Sequence, residues 1–377
     1  MIYLDNAATT KPYREAVDAI NSINEKEYFN ASALYYKGSE AKALIEESRG
    51  KIASVLGVNP TEIYFTSGAT ESDNWALFSG YKNKKGNMVV SAGEHSAVFE
   101  TALSLKNKGY DVRFAPLNSD GTVNREKFDA LVDDRTALVS VIHYSNETGA
   151  VNDVFSLAKR CKEKNKKLIF HSDGVQAFCK YKSELKYTDI DLYSISAHKI
   201  GGVKGCGALY IRKGINLSPL IFGGGQENSM RSGTENVAAI TAFGIASSLY
   251  SQEYNTNMIA DLKGALIGAL REKSADFKLN SCGQNACPAI VSLSFIGINS
   301  EILQRLLAGE DVFVGLGSAC ASKLRSNRVL SEMGLNQKEI SGSIRISFSP
   351  QNSVEDVKYA AALIADKVNI LRSGQIG

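Results

Sequence analysis

Between Ala53 and Ile211 the sequence alternates short β-branched or aromatic runs with amphipathic stretches, and this alternation confines the chain to repeated strand–helix units on a largely parallel sheet. The predicted strands are Ile63–Phe65, Asn87–Ser91, Val112–Phe114, Ala137–Ile142, Lys167–Phe170, Leu192–Ile195 and Gly207–Ile211. Several of them run directly into polar or glycine-rich residues. In open α/β sheets ligands sit beyond the carboxyl ends of the strands, so those junctions are where chemistry is expected.

Past about Ser251 the texture changes to longer helical patterns around a few strands, such as Ala289–Phe295 and Ser343–Phe348. A length of 377 residues suits two packed domains. The expectation is an α/β fold with a large domain over residues 10–250, built on a mostly parallel seven-stranded sheet. Residues 1–9 and 251–377 form a smaller α+β domain. The last helix opens at Ser353 with Asp356 three residues on, and places Val357, Ala361, Ile364, Val368 and Leu371 on one core-facing side.

Composition narrows the function classes. The 43 Lys and Arg against 40 Asp and Glu leave a formal charge of +3, too weak a field to argue for nucleic acid or an acidic membrane. The basic run from Lys159 to Lys167 reads as the solvated end of a helix, where cations offset the helix dipole. No basic leader opens the sequence and no stretch reaches the roughly 18 apolar residues of a membrane helix, so a cytoplasmic protein is expected. The six cysteines, at 161, 179, 206, 282, 287 and 320, form no C-x-x-C pair, which argues against a disulfide framework or a zinc site. No metal is expected.

Three junctions carry chemical signals. Thr66-Ser-Gly-Ala-Thr-Glu-Ser72 joins a strand to a helix, and its exposed N–H groups and positive helix end suit a phosphate, although such a turn also serves as an ordinary connection. Phe170-His-Ser-Asp-Gly-Val-Gln176 ends an apolar strand on a carboxylate, which is costly there unless a cation pairs with it. Ser194-Ile-Ser-Ala-His-Lys-Ile-Gly201 follows another strand with a lysine among small residues, either a surface lysine on a flexible loop or a drawn-in amine able to form a Schiff base. Neither G-x-G-x-x-G after a strand nor G-x-x-x-x-G-K-[ST] occurs, so the usual nucleotide signatures are missing. Phosphate cradle, strand-end carboxylate and lysine together match the needs of pyridoxal 5'-phosphate.

At this point the sequence resembles the class V fold-type I pyridoxal-phosphate enzymes, and among them the cysteine desulfurases of the NifS and IscS type. The likeness runs through Tyr3-Leu-Asp-Asn-Ala-Ala-Thr-Thr10, Thr66–Ser72, Gly93-Glu-His-Ser-Ala97, Ser145-Asn-Glu-Thr-Gly149, Asp173–Gln176, Ser196-Ala-His-Lys199, Arg231-Ser-Gly-Thr234, Gly317-Ser-Ala-Cys-Ala-Ser322 and Ile344-Arg-Ile-Ser347, nearly the whole chain in order. The resemblance implies that Lys199 binds the cofactor aldehyde and moves the Cα proton, that Asp173 pairs with the ring nitrogen, and that His95 stacks on the ring. It implies that Gln176 bonds the ring hydroxyl oxygen. Ala69, Thr70, Ser196 and His198 hold the phosphate, joined by Thr234 from a second subunit of a homodimer. Asn146 and Arg345 bind the substrate carboxylate, which a guanidinium can grip at both oxygens.

Cys320 is what distinguishes a desulfurase from its relatives. The resemblance makes its thiolate the group that takes sulfur from L-cysteine, leaving L-alanine, and passes it on; the thiolate is the reactive form. The acceptor would be an iron–sulfur scaffold or a tRNA-thiolation protein. A selenocysteine lyase or another class V aminotransferase is the alternative. Two departures stand out, Ser145 where the family usually has asparagine and Gly174 where it has alanine. The segment after Cys320 is about one residue short, and only 32 residues follow Arg345 (377 − 345), so the usual scaffold-docking extension is not expected.

Overall fold

In the computed structural model the described residues are 1–81, 86–182, 184–273, 275–280, 286–317 and 328–374. Strand β1 (Ile2–Leu4) opens the chain. It is followed by β2 (Ile63–Thr66), β3 (Asn87–Ser91), β4 (Asp111–Ala115), β5 (Thr136–Ser140), β6 (Ile169–Asp173), β7 (Leu192–Ser196) and β8 (Gly207–Ile211). The last four are β9 (Lys278–Leu279), β10 (Ile290–Ser294), β11 (Val312–Leu316) and β12 (Ser343–Ser347).

Strands β2 to β8 form a seven-stranded sheet in the order β2-β8-β7-β6-β5-β3-β4. All neighbours run parallel except β8, which is antiparallel to both β2 and β7. The buried runs alternate faces with the period of a strand. Val89, Val139, Phe170, Tyr193, Ile195 and Tyr210 pack with the helices Tyr36–Leu56, Val154–Lys164 and Val237–Glu253. Met88, Val90, Leu138, Leu192 and Leu209 pack on the other side with Ala69–Tyr81 and Ser96–Asn107. Both faces are therefore covered, which explains the near-continuous apolar character of these strands.

The second sheet has the order β1-β11-β12-β10-β9. β1 enters it parallel to β11, with Tyr3 opposite Phe313. Its core joins β10 and β12 to the helices Thr256–Glu272, Ser300–Ala308 and Val354–Ser373. The last of these starts as expected, with the Ser353 hydroxyl accepting from the Asp356 N–H at 3.1 Å.

Two expectations need correction. The strand predicted over Lys167–Phe170 occupies Ile169–Asp173, because Leu168 closes a turn onto the Asn165 carbonyl at 3.1 Å, which delays entry to the sheet. The basic run is not simply a solvated face. Lys162, in the last turn of its helix, donates to the buried Asp191 carboxylate at 2.5 Å, and that carboxylate also accepts from the Phe170 N–H. An acid buried at the amino end of β7 needs a cation, and the run supplies it.

Candidate active site

The carboxyl ends of β2, β3, β5, β6 and β7 converge on one cavity of about 570 Å³, which the antiparallel β8 borders through the preceding Gly205. Ala69, Thr70, His95, Asn146, Asp173, Gln176, Ser196, His198, Lys199 and Arg345 line it together. Thr234 does not. It lines a neighbouring cavity of about 200 Å³ with Arg231, and Ser67 and Gly205 are shared by both cavities. Cys320 lies outside the described residues, as does Cys282.

Lys199 ends a single tight turn, Ala197–Lys199, at the mouth of β7. Its amine donates to the Ala7 and Ala8 carbonyls, each at 2.8 Å. The segment after β1 is laced to this turn from above. Thr10 Oγ1 donates to the His198 carbonyl at 2.9 Å, and the Tyr13 N–H donates to the Gly201 carbonyl at 2.8 Å. Gly201 has φ +77°, and a Cβ there would strike the Tyr13 ring at 2.5 Å, so this close crossing needs glycine. Burial, with Arg345 and Lys180 adding positive charge, lowers the Lys199 amine to about 8. The sequence left open whether this lysine is outside or drawn in; it is drawn in.

Asp173 is buried at the end of β6, where its Oδ1 accepts from the Val175 N–H at 3.0 Å. Burial, reinforced by the neighbouring Asp73 carboxylate, raises it to about 7. Asp73 was missed in the sequence. It comes from the second turn of the helix Ala69–Tyr81 and is fully buried. Burial raises it to about 7, with the Ser194 hydroxyl opposing the shift, yet neither carboxylate oxygen has a hydrogen-bond partner of ordinary geometry. The nearest imidazole is His171, 3.5 Å away, which bridges Ser140 and Ser194 at 2.9 and 3.0 Å. Its sequence neighbours Glu71, Ser72 and Asn74 are polar too, so the local sequence did not single out this acid as the buried one.

His95 caps the helix Ser96–Asn107, its Nδ1 accepting from the Ala97 N–H at 3.2 Å. The residue is open to solvent along the cavity while its ring stands deep among protein atoms. That crowding, then the cations Lys199, Arg328 and Arg345, hold it down to about 4, so the imidazole is neutral at pH 7.

On the phosphate side the first-turn N–H groups of Ala69 and Thr70 have no carbonyl one turn back, which leaves them for an anion. The turn is braced from behind. Glu71 accepts from the Ser67 N–H at 2.9 Å and from Arg231 Nε at 2.8 Å. The Arg231 motif thus acts here by fixing the turn, a link that spacing did not reveal.

Asn146 sits in a turn closed by the Ser145 hydroxyl, which accepts from Glu147 and Thr148 at 3.3 and 3.2 Å. Serine thus fills that position without disturbing Asn146. Arg345 on β12 donates through Nη1 to the Asn146 carbonyl and through Nη2 to Asp5, both at 2.8 Å, while its buried Nε has no partner among the described residues. Gly174 also has a reason: a Cβ there would fall 1.9 Å from the Tyr193 ring, whose hydroxyl meets His143 Nδ1 at 2.8 Å.

These residues fit pyridoxal 5'-phosphate. A buried carboxylate raised for want of a cation suits a protonated ring nitrogen, a lowered amine suits an aldehyde, and free helix N–H groups suit a phosphate.

Comparison with known proteins agrees. The class-V aminotransferase family description matches residues 2–360. A cysteine desulfurase IscS from Clostridium botulinum is 36% identical over 371 residues, covering 96% of this chain and 93% of that protein. A solved structure described as a NifS-like protein superposes with a TM-score of 0.92 at 34% identity, covering 98% of this chain and 99% of its own. Another, SspA in complex with cysteine, gives 0.82 at 29% identity, covering 94% and 100%. The desulfurase names disfavour the selenocysteine lyase and aminotransferase alternatives. A seven-stranded α/β core carrying this cavity, and relatives matched along almost their full length, make the chain a member of the class V aminotransferase family, in its cysteine desulfurase branch of the NifS and IscS type.

Proposed function

We propose that the protein converts L-cysteine to L-alanine and carries the released sulfur on Cys320 to an acceptor protein. The observation that carries this reading is the Lys199 amine, lowered to about 8 and facing the same cavity as Asp173, His95 and Arg345. Bound pyridoxal phosphate supplies an aldehyde that takes up the substrate amine and an electron-poor ring that draws charge from the adjoining carbon.

The rest falls to the chain. Ala69, Thr70, Ser196 and His198 orient the phosphate, and Asp173 keeps a proton on the ring nitrogen. Asn146 and Arg345 hold the substrate carboxylate. Lys199 takes the Cα proton and returns it, a task suited to an amine poised near neutral pH. His95, neutral at pH 7, can accept the substrate thiol proton at Nε2, because Nδ1 is engaged by Ala97. The Cys320 thiolate then bonds to the substrate sulfur as the carbon–sulfur bond breaks. The electron pair stays on carbon, which is protonated to the methyl group of alanine.

The site residues work within two domains, 10–250 and 1–9 with 251–377, and a homodimer in which Thr234 of the second copy completes the phosphate contacts. An iron–sulfur scaffold or a tRNA-thiolation protein receives the sulfur. We place the reaction in the cytoplasm; the described cysteines 161, 179, 206 and 287 are unpaired thiols, in keeping with a reducing compartment. The test is to supply the protein with pyridoxal phosphate and L-cysteine and measure alanine together with protein-bound persulfide. Alanine without persulfide would rule out the Cys320 step, and neither product would rule out the activity.

A further inference from the structure

Lys180 has no role in this scheme, yet it is 8% exposed and so withdrawn from water at considerable cost. Packing alone would be served as well by methionine. Burial lowers its pKa, opposed by the Cys287 and Cys179 thiols that face it. Its amine donates to Gln176 Oε1 at 3.1 Å. Gln176 Nε2 donates in turn to the Ala7 carbonyl at 2.9 Å, the same oxygen that accepts from Lys199 at 2.8 Å.

These contacts fix which end of the Gln176 amide points where. An ammonium has hydrogens and no lone pair, so it must face the amide oxygen; a backbone carbonyl has lone pairs and no hydrogen, so it must face the amide nitrogen. Both neighbours impose the same orientation. Ala7 uses one of the two Nε2 hydrogens, and Gln176 lines the cavity. The remaining N–H is the polar group this side chain can offer a ligand. Without Lys180 the Ala7 carbonyl alone would hold that orientation, and the amide oxygen would lose its partner.

We propose that Lys180 is a positioning residue: by holding Gln176 with its amide nitrogen toward the cavity, it makes that wall a hydrogen-bond donor and selects the anionic form of the ring oxygen of bound pyridoxal phosphate. The inference rests on the reading of the cavity as the cofactor site. It gives the Gln176 contact a direction, since an N–H donor bonds a charged oxygen more strongly than a neutral hydroxyl. The charged groups that face the Lys199 end of the relay are Arg345, Lys180, Asp173 and Asp5, so removing Lys180 also removes a positive charge from the lysine-bound cofactor.

The test is a pH titration of the visible absorbance of the holoenzyme, with cofactor dissociation constants alongside. Lys180→Met and Gln176→Met each raise the absorbance midpoint by about one unit and weaken cofactor binding about tenfold, the size expected for one charge-assisted contact. The double variant shifts by less than the sum of the two single shifts, because the part that Lys180 exerts through Gln176 is already lost in Gln176→Met. An unchanged midpoint in Lys180→Met, or additive shifts in the double variant, overturns the proposal. Should Lys180→Met not fold, Lys180→Gln serves, because a neutral amide can offer either a donor or an acceptor and so no longer fixes Gln176: a raised midpoint supports the proposal and a wild-type midpoint overturns it. A Lys199→Ala protein that kept the lysine-linked visible band would sink the cofactor reading itself, a separate failure.

Discussion

Arg345 Nη2 lies 2.8 Å from Asp5 Oδ1, so the residue that follows β1 aims the guanidinium on β12 into the cavity. Gly315 on β11 makes room for the pair: a Cβ there would fall 2.5 Å from Asp5 Oδ1 and 3.0 Å from Arg345 Nε and Nη2. Its requirement is lack of bulk, without any need for a left-handed backbone.

Gly315→Ala is therefore expected to displace the Asp5–Arg345 pair and raise KM for L-cysteine roughly tenfold, the scale of one charge-assisted hydrogen bond. The cofactor absorbance should stay unchanged. Steady-state alanine formation checks this, and an unaltered KM contradicts it.

Lys199 gives a prediction with a pH sign. Its folded pKa, about 8, lies below the unbound amine value of ~10.4, so the associated stability is present above about 10.4 and lost as pH falls toward 8. In the cofactor-free protein, Lys199→Met should raise the melting temperature at pH 7, with the difference fading by about pH 10.5. The rate at which cofactor-free wild type captures pyridoxal phosphate should rise through pH ~8 as the neutral amine forms.

Asp73 carries the opposite sign. Its folded value of about 7 lies above the ordinary ~3.9, so stability fully present below pH 3.9 is lost as pH rises through 7. Asp73→Asn should stabilise the cofactor-free protein at pH 8 and leave it unchanged near pH 3.5. Cofactor binding should weaken severalfold, because the pair with Asp173 loses a negative charge toward the ring nitrogen. Melting curves at both pH values, with a binding titration, decide the point.

For Cys320, replacement by serine should keep the cofactor absorbance and remove persulfide, with alanine formation falling at least 100-fold, as expected for loss of a nucleophile. Mass spectrometry of the cysteine-treated protein reads the persulfide directly. Undiminished turnover would end the assignment.

The strands of the large sheet could be read from sequence because both faces are covered, so each strand is an apolar run ending in a polar junction. Asp173 and the Lys199 turn were visible for the same reason: they sit where a run stops. The helix Ala69–Tyr81 showed its start but not Asp73, since Glu71, Ser72, Asp73 and Asn74 form one polar run and only the packing decides which of them is turned inward. The β6 boundary was displaced because Lys167 and Leu168, though apolar in part, are used to close a turn.

Local pattern and residue type, then, determined the α/β architecture, the junctions that bear chemistry and the residue kinds placed there, because backbone periodicity and turn chemistry act over a few neighbours. Folding in three dimensions decided which groups meet and in what charge state. Asp5 reaches Arg345 across 340 positions, Gln176 reaches Ala7 across 169 and Lys199 reaches Ala8 across 191. Hydrogen bonding and electrostatics depend on distance and burial, and neither is written along the chain.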